Sequence, residues 1–173
     1  MIALTGTPGV GKTTVSKVLE KRGFDVLDLN GFIRDKGLLE KEDPERKSFE
    51  VDIETLKRSF NDENIEADII EGHLSHHLPI STVIVLRCSP SVLEERMENK
   101  GWDRDKIEEN LEAEMIDIIL MEALQNSDEV LEIDTTDREP VEVASSVEEI
   151  MEGKTEYYKP GSVDWSGEML SRQ

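Results

Sequence analysis

One cysteine, Cys88, stands in a chain of 173 residues. That excludes an internal disulfide framework and fits a reducing cytoplasm. Beside an apolar run, a lone cysteine reads as a small buried hydrophobe. No apolar stretch approaches the roughly 20 residues needed to span a bilayer. The N-terminus shows no basic region followed by an apolar segment and a cleavage site, so nothing suggests export and a cytoplasmic location is expected. Basic residues are in short supply: 20 Lys and Arg face 40 Asp and Glu, a formal net charge of −20. Such a surface repels nucleic acid and anionic lipid at long range, which disfavours direct RNA binding and membrane association. It would attract a basic protein partner, or keep a protein soluble in a salty cytoplasm, and composition leaves both open.

What is present alternates. Short apolar segments at 1–5, 24–29, 67–71, 82–87 and 130–134 read as strands, the clearest being Val83-Ile84-Val85-Leu86. Between them, helices are predicted at 12–22, 91–99, 105–126 and 140–151, with apolar residues recurring at three- and four-residue spacing, as in Val15, Val18 and Leu19. Alternation of this kind predicts a three-layer α/β domain with a parallel five-stranded sheet. Residues 30–62, with Gly31, Gly37 and Pro44, are more polar and read as a small helical insertion. The tail from 153 to 173 reads as loosely packed.

Gly6-Thr7-Pro8-Gly9-Val10-Gly11-Lys12-Thr13 matches G-x-x-x-x-G-K-[ST] without deviation, after a strand and before a helix. Glycines let consecutive N–H groups wrap phosphate oxygens, and the helix start adds the positive end of its dipole. Lys12 is expected to reach the β- and γ-phosphates of ATP, Thr13 to ligate Mg²⁺, and Thr14 to add a contact on the α-phosphate side. The base-reading N-K-x-D motif of GTPases is not matched: Asn99-Lys100-Gly101-Trp102-Asp103 has one residue too many.

Moving a phosphoryl group between anions needs several cations. Candidates at loop and element ends are Arg34, Arg87, Arg96, Lys100, Arg104 and Arg138, with Arg87 at the carboxyl edge of the fourth strand, where ligands of such sheets bind. Glu71-Gly72-His73 ends the third strand. Glu71 there can hold the magnesium shell through water, and His73 can orient an attacking water or take its proton. His76 and His77 extend the run to H-x-x-H-H, but no cysteine follows at ligand spacing, and the sequence alone does not support zinc.

With these residues in hand, the chain resembles the small adenylate-kinase-like family that includes the human coilin-interacting nuclear ATPase protein (adenylate kinase isoenzyme 6 type) and its archaeal counterparts. The shared features are the P-loop, Leu29-Asn30-Gly31 through Arg34, Glu71-Gly72-His73, Val85-Leu86-Arg87, and R-x-x-x-K-G-W-x-x-x-K-I-x-x-N-x-x-x-E from Arg96 to Glu114. The resemblance implies a P-loop NTPase fold of nucleoside monophosphate kinase type over 1–152. An NMP-binding insertion would lie at about 30–52 and a short lid at about 99–109, followed by a tail at 153–173. It implies ATP binding by Gly9, Val10, Gly11, Lys12, Thr13 and Thr14, with Lys100 from the lid and Arg138 near the adenine. Asn30, Arg34 and Arg87 would serve the monophosphate, and Lys12, Arg96, His73 and Glu71 the chemistry. The implied activity is ATP + AMP giving two ADP with broad monophosphate acceptance, plus ATP hydrolysis. Assistance to small-subunit ribosome maturation and rRNA processing, through the ribosomal protein uS11, is implied too. An alternative is a ribosome-assembly ATPase switch with residual kinase activity, and a third is a metabolite kinase. Two residues depart from the family: Lys100 stands where arginine is usual, and Glu71 where aspartate is.

Overall fold

A computed structural model describes residues 1–43 and 48–171. Its centre is a sheet of five parallel strands: β1 (Ile2–Thr5), β2 (Val26–Asp28), β5 (Ile69–Glu71), β6 (Thr82–Arg87) and β7 (Glu129–Asp134), in the order β2-β5-β1-β6-β7. Apart from the edge strand β2, the strands are mostly buried, which is why they read as continuous apolar runs. Ile2 and Leu4, Ile84 and Leu86, and Leu131 and Ile133 feed one core. Ala3, Val83, Val85 and Val130 feed the other. The first core is covered by α1 (Lys12–Lys21), α4 (Pro90–Glu98), α5 (Arg104–Met115) and α7 (Pro140–Met151), and the second by α2 (Leu29–Asp35), α3 (Ile53–Asp62) and α6 (Ile118–Asn126). The expected three-layer α/β fold is thus present, and all five expected strands belong to its sheet. The chain leaves β1 in one direction and later returns to β6 on its other side, so the carboxyl end of β1 is the switch point where a ligand crevice opens.

Three local expectations need correction. The stretch 30–62 is not all helical: α2 and α3 flank an antiparallel hairpin of β3 (Leu39–Asp43) and β4 (Ser48–Val51). The helices start where Asp28 and Asp52 accept hydrogen bonds from the backbone N–H of Asn30 and Thr55 at 3.0 and 2.7 Å. Pro44 lies outside the described residues.

The helix predicted over 105–126 is two helices, broken at Asp117, whose φ of 57° is left-handed. The break frees the Asp117 carboxylate to pair with the buried guanidinium of Arg87, which offsets the cost of the unusual backbone. The tail is not loose throughout, because Val163 N–H and Ser162 Oγ donate to Glu132 at 2.9 and 3.3 Å, and Trp165 Nε1 donates to Glu114 at 3.3 Å. Both glutamates are buried, and a buried carboxylate demands donors. Among the described residues, no helix is long and apolar enough to cross a membrane.

Candidate active site

The loop between β1 and α1 is shaped by its glycines. Gly6 has φ 140°, and a Cβ there would stand 2.4 Å from the Leu86 carbonyl oxygen. Gly9 has φ 102°, and its Cβ would meet Leu93 Cδ1 at 2.9 Å, so the loop lies flat on α4. Lys12 is buried, and its ammonium donates to the carbonyls of Gly6 at 2.7 Å and Thr7 at 3.2 Å. Burial pulls its pKa down to about 8, with Glu71 and Glu114 resisting. It is a cation with few partners of its own, held where phosphate oxygens would arrive.

Two cavities flank this junction. The larger, about 370 Å³, is lined on the loop side by Gly9, Val10, Gly11, Thr14 and Val15 and on the far side by Arg96, Asn99, Lys100, Thr135, Arg138, Pro140 and Val143. The smaller, about 300 Å³, is lined by Thr13, Ser16, Lys17, Glu20, Val26, Asp28, Asn30, Arg34 and Glu71. Consecutive residues of the first turn of α1, Thr13 and Thr14, therefore look into different chambers. The structure brings together Gly9, Val10, Gly11, Thr14, Lys100 and Arg138 around one chamber and Thr13, Asn30, Arg34 and Glu71 around the other, while Lys12 lines neither.

The smaller cavity carries a cluster of hard oxygen donors. Thr13 Oγ1 donates to Glu71 Oε1 at 3.4 Å, Asp28 is paired with Glu71 across β2 and β5, and Ser16 Oγ is buried without a hydrogen-bond partner among the described residues. Burial raises the Glu71 pKa, Lys12 lowers it, and Asp28 raises it further. An orphaned hydroxyl beside three-carbon and two-carbon carboxylates suits magnesium, which takes oxygen ligands and keeps much of its water. His73 follows at the end of β5. Burial, then the nearby Lys12 charge, lowers its pKa to about 4, so the imidazole is neutral near pH 7.

The expected cations have separate fates. Arg96 donates to the carbonyls of Val10 at 3.2 Å, Thr135 at 2.7 Å and Thr136 at 3.1 Å, and to Thr135 Oγ1 at 3.1 Å. It ties the phosphate loop to the end of β7 and is a fixed brace, whereas the resemblance implied a part in the chemistry. Arg87 is enclosed. Nε donates to Glu114 Oε1 at 2.7 Å, Nη2 to the Glu114 carbonyl at 3.1 Å and Nη1 to Glu132 at 3.4 Å, with Asp117 also paired. Burial opposes its charge, but Glu114 and Asp117 outweigh that and raise its pKa. It lines neither cavity, so the expected contact with a monophosphate is replaced by a buried ion cluster.

Arg104 is exposed and paired with Glu94, Glu98 and Glu108. Arg138 donates to the Glu142 carbonyl and to Ser146 Oγ at 3.0 and 2.7 Å. The expected lid at 99–109 is mostly helix, because α5 starts at Arg104 and only Asn99–Asp103 connects it to α4.

Two residues escaped the sequence reading. Glu114 accepts from Thr7 Oγ1 at 2.5 Å and from Cys88 N–H at 3.2 Å, joining the phosphate loop to the Arg87 cluster. Its only signal was its place as the last residue of the Arg96–Glu114 pattern. Thr135, buried, reaches the carbonyls of Val10 at 2.8 Å and Arg87 at 2.9 Å, and no sequence signal marked it.

A phosphate loop at the switch point of a parallel sheet, with a chamber on either side of the helix start that follows it, defines a P-loop NTPase fold of the kinase type. The shikimate kinase of Bacteroides thetaiotaomicron shares this fold, with a TM-score of 0.58 at 18% identity over 87% of this chain and 97% of that one. Residues 2–117 match the family model described as AAA domain. The chain is 44% identical over 176 residues to the Archaeoglobus fulgidus protein named "Putative adenylate kinase", covering 99% of this chain and 95% of that protein. To the protein of the same name in Methanothermobacter thermautotrophicus it is 46% identical over 172 residues, covering 98% and 99%. It belongs to this adenylate-kinase-like family.

Proposed function

We propose that the protein transfers the terminal phosphoryl group of ATP to a nucleoside monophosphate, AMP foremost, giving two diphosphates. The reading is carried by the two chambers that flank the first turn of α1, where Thr14 lines one, rimmed by Lys100 and Arg138, and Thr13 the other, rimmed by Asn30 and Arg34. The name borne by its relatives points the same way. ATP would lie along the loop with its base in the larger chamber, against Val15, Pro140 and Val143 and beside Arg138. Lys100 would approach its phosphates. The acceptor would sit in the smaller chamber with its phosphate on Arg34.

Lys12 would neutralise the transferring group, and Arg96 would keep the loop in place while it does so. Thr13 directly, and Glu71 through water, would hold magnesium, which supplies charge neutralisation at the phosphate oxygens. Arg87 would act on the site indirectly, by fixing Glu114 and hence Thr7.

A second reading belongs with the coilin-interacting nuclear ATPase type: hydrolysis of ATP as a switch in small-subunit ribosome maturation, with a basic ribosomal protein such as uS11 as partner. Two observations favour it. The connection Asn99–Asp103 is too short to close widely over two nucleotides, and the net charge of −20 suits a basic partner. His73 would then orient water as a neutral imidazole, since a pKa of about 4 makes it a weak base. A cytoplasmic location accords with either reading.

Product analysis with ATP and Mg²⁺, with and without AMP, separates the two in wild type and His73→Ala. Phosphotransfer gives two ADP per AMP consumed and survives in the variant. ADP and free phosphate formed without AMP, and lost in the variant, would replace it with the ATPase reading.

A further inference from the structure

After β5 the chain makes a 3-10 turn, Ser75–His77, that packs against α6 on the second face of the sheet, outside both chambers. His76 Nε2 lies 3.0 Å and His77 Nε2 3.7 Å from one and the same oxygen, Glu122 Oε2. The three ligand atoms are all within 4.8 Å of one another. Bonds of about 2.0–2.1 Å in a tetrahedral site put neighbouring ligands about 3.3 Å apart. The two observed separations bracket that spacing. We propose that His76, His77 and Glu122 form a binding site for a divalent transition metal of the zinc class, clipping the turn after β5 to α6.

The ligand types agree with this choice. Two imidazoles and a carboxylate suit zinc and its neighbours in the first transition row, whereas magnesium and calcium prefer oxygen alone. Three protein ligands leave a fourth position for water or a passing group. The His76 side chain is 1% exposed, His77 18% and Glu122 43%, so one ligand is anchored inside while the others face an entry path.

The outer partners are also in place. A histidine that ligates through Nε2 must carry its proton on Nδ1 and needs an acceptor there. His76 Nδ1 stands 3.0 Å from Thr5 Oγ1, and the Thr5 hydroxyl can donate onward to the His73 carbonyl at 3.3 Å. That relay supports the metal-bound tautomer without any rearrangement. Without metal, the same atoms make a plain cluster, with Thr5 donating to Nδ1 and Nε2–H donating to Glu122. Thr5 immediately precedes Gly6, so the clip bears on the strand end from which the phosphate loop springs.

The test is a titration of the full chain with Co²⁺, without nucleotide and with Mg²⁺ in excess, read by visible absorption. Expected is a saturable, intense tetrahedral-type band at about one equivalent, bleached by Zn²⁺, and a melting temperature raised by Zn²⁺. His77→Ala and Glu122→Gln, both at partly exposed positions, should weaken Co²⁺ at least about tenfold and abolish the thermal shift while ATP still binds. Only a weak octahedral-type absorption, or binding unchanged in both variants, would overturn the site and leave a hydrogen-bonded histidine cluster. Because no nucleotide is present, either result stands apart from the phosphotransfer reading.

Discussion

The two chambers beside Lys12 differ in how they are built. The wall of the larger one is cross-braced: Arg96 joins the carbonyls of Val10, Thr135 and Thr136, and Thr135 reaches both Val10 and Arg87 through its hydroxyl. Those bonds are partly or wholly buried, and they leave little to rearrange when a nucleotide arrives. The smaller chamber is rimmed by side chains in solvent. The Arg34 side chain is 61% exposed, and its ion pair with Asp28, at 3.7 Å, is long and also exposed. An exposed pair of this kind contributes little and yields readily to a ligand. The comparison teaches that one half of the site is preformed and the other is completed by what binds there.

The largest effect is expected at the buried lysine of the phosphate loop, Lys12. Lys12→Met should lower turnover by about 10³-fold or more and yet raise stability at pH 7 by about 1–3 kcal/mol. The sign follows from its pKa, which falls from 10.5 to about 8 on folding. The unfolded chain then binds the proton more tightly, so wild-type stability rises with pH across that window. The gap between the variant and wild type should close over the same interval, which denaturant melts at a series of pH values would show. A variant less stable than wild type at pH 7 would remove the desolvated-lysine argument.

Next in size is the brace. Arg96→Ala strands the carbonyls of Thr135 and Thr136 and leaves that of Val10 to the Thr135 hydroxyl alone, and should cost about 2–4 kcal/mol of stability, together with weaker ATP binding, measurable by chemical denaturation and calorimetry. At the open chamber the balance reverses. Arg34→Ala should raise KM for the monophosphate about 10- to 100-fold while leaving the melting temperature and KM for ATP nearly unchanged, because an exposed pair carries little stability. If both KM values rose together, the two chambers would not be separate subsites. The smallest effect is expected at the tail. Trp165→Phe removes one donor from Glu114, which keeps Arg87, Thr7 and the Cys88 N–H. A loss of about 1 kcal/mol in thermal or chemical melts would accord with that arithmetic.

Much of this molecule is written locally. The five strands, the phosphate loop and the helices over 12–21, 90–98 and 140–151 follow from runs and periodicities contained within a few residues. Cys88 is buried as expected, and burial raises its thiol pKa to about 11, which makes it inert. What was not legible depends on partners far along the chain. The break at Asp117 answers a guanidinium 30 residues away, and the docking of residues 162–165 answers Glu132 and Glu114. Helical periodicity carries no sign of either demand, so a continuous helix and a loose tail were the natural readings. Arg87 looked like a site cation because strand ends usually face ligands, but three carboxylates from α5, the α5–α6 junction and β7 claim it first. The third member of the His76–His77 cluster lies 46 residues from His76, on another helix, which is why spacing alone argued against a metal.

The central claim is that the two chambers hold two nucleotides at once, and calorimetric titration with two adenosines joined by five phosphates, in the presence of Mg²⁺, tests it most directly. One equivalent should bind at least about tenfold more tightly than ATP, since linking two occupied subsites adds their contacts, and Arg34→Ala should remove that advantage while leaving ATP affinity intact. Binding no tighter than ATP, and indifferent to Arg34, would mean that only the larger chamber takes a nucleotide.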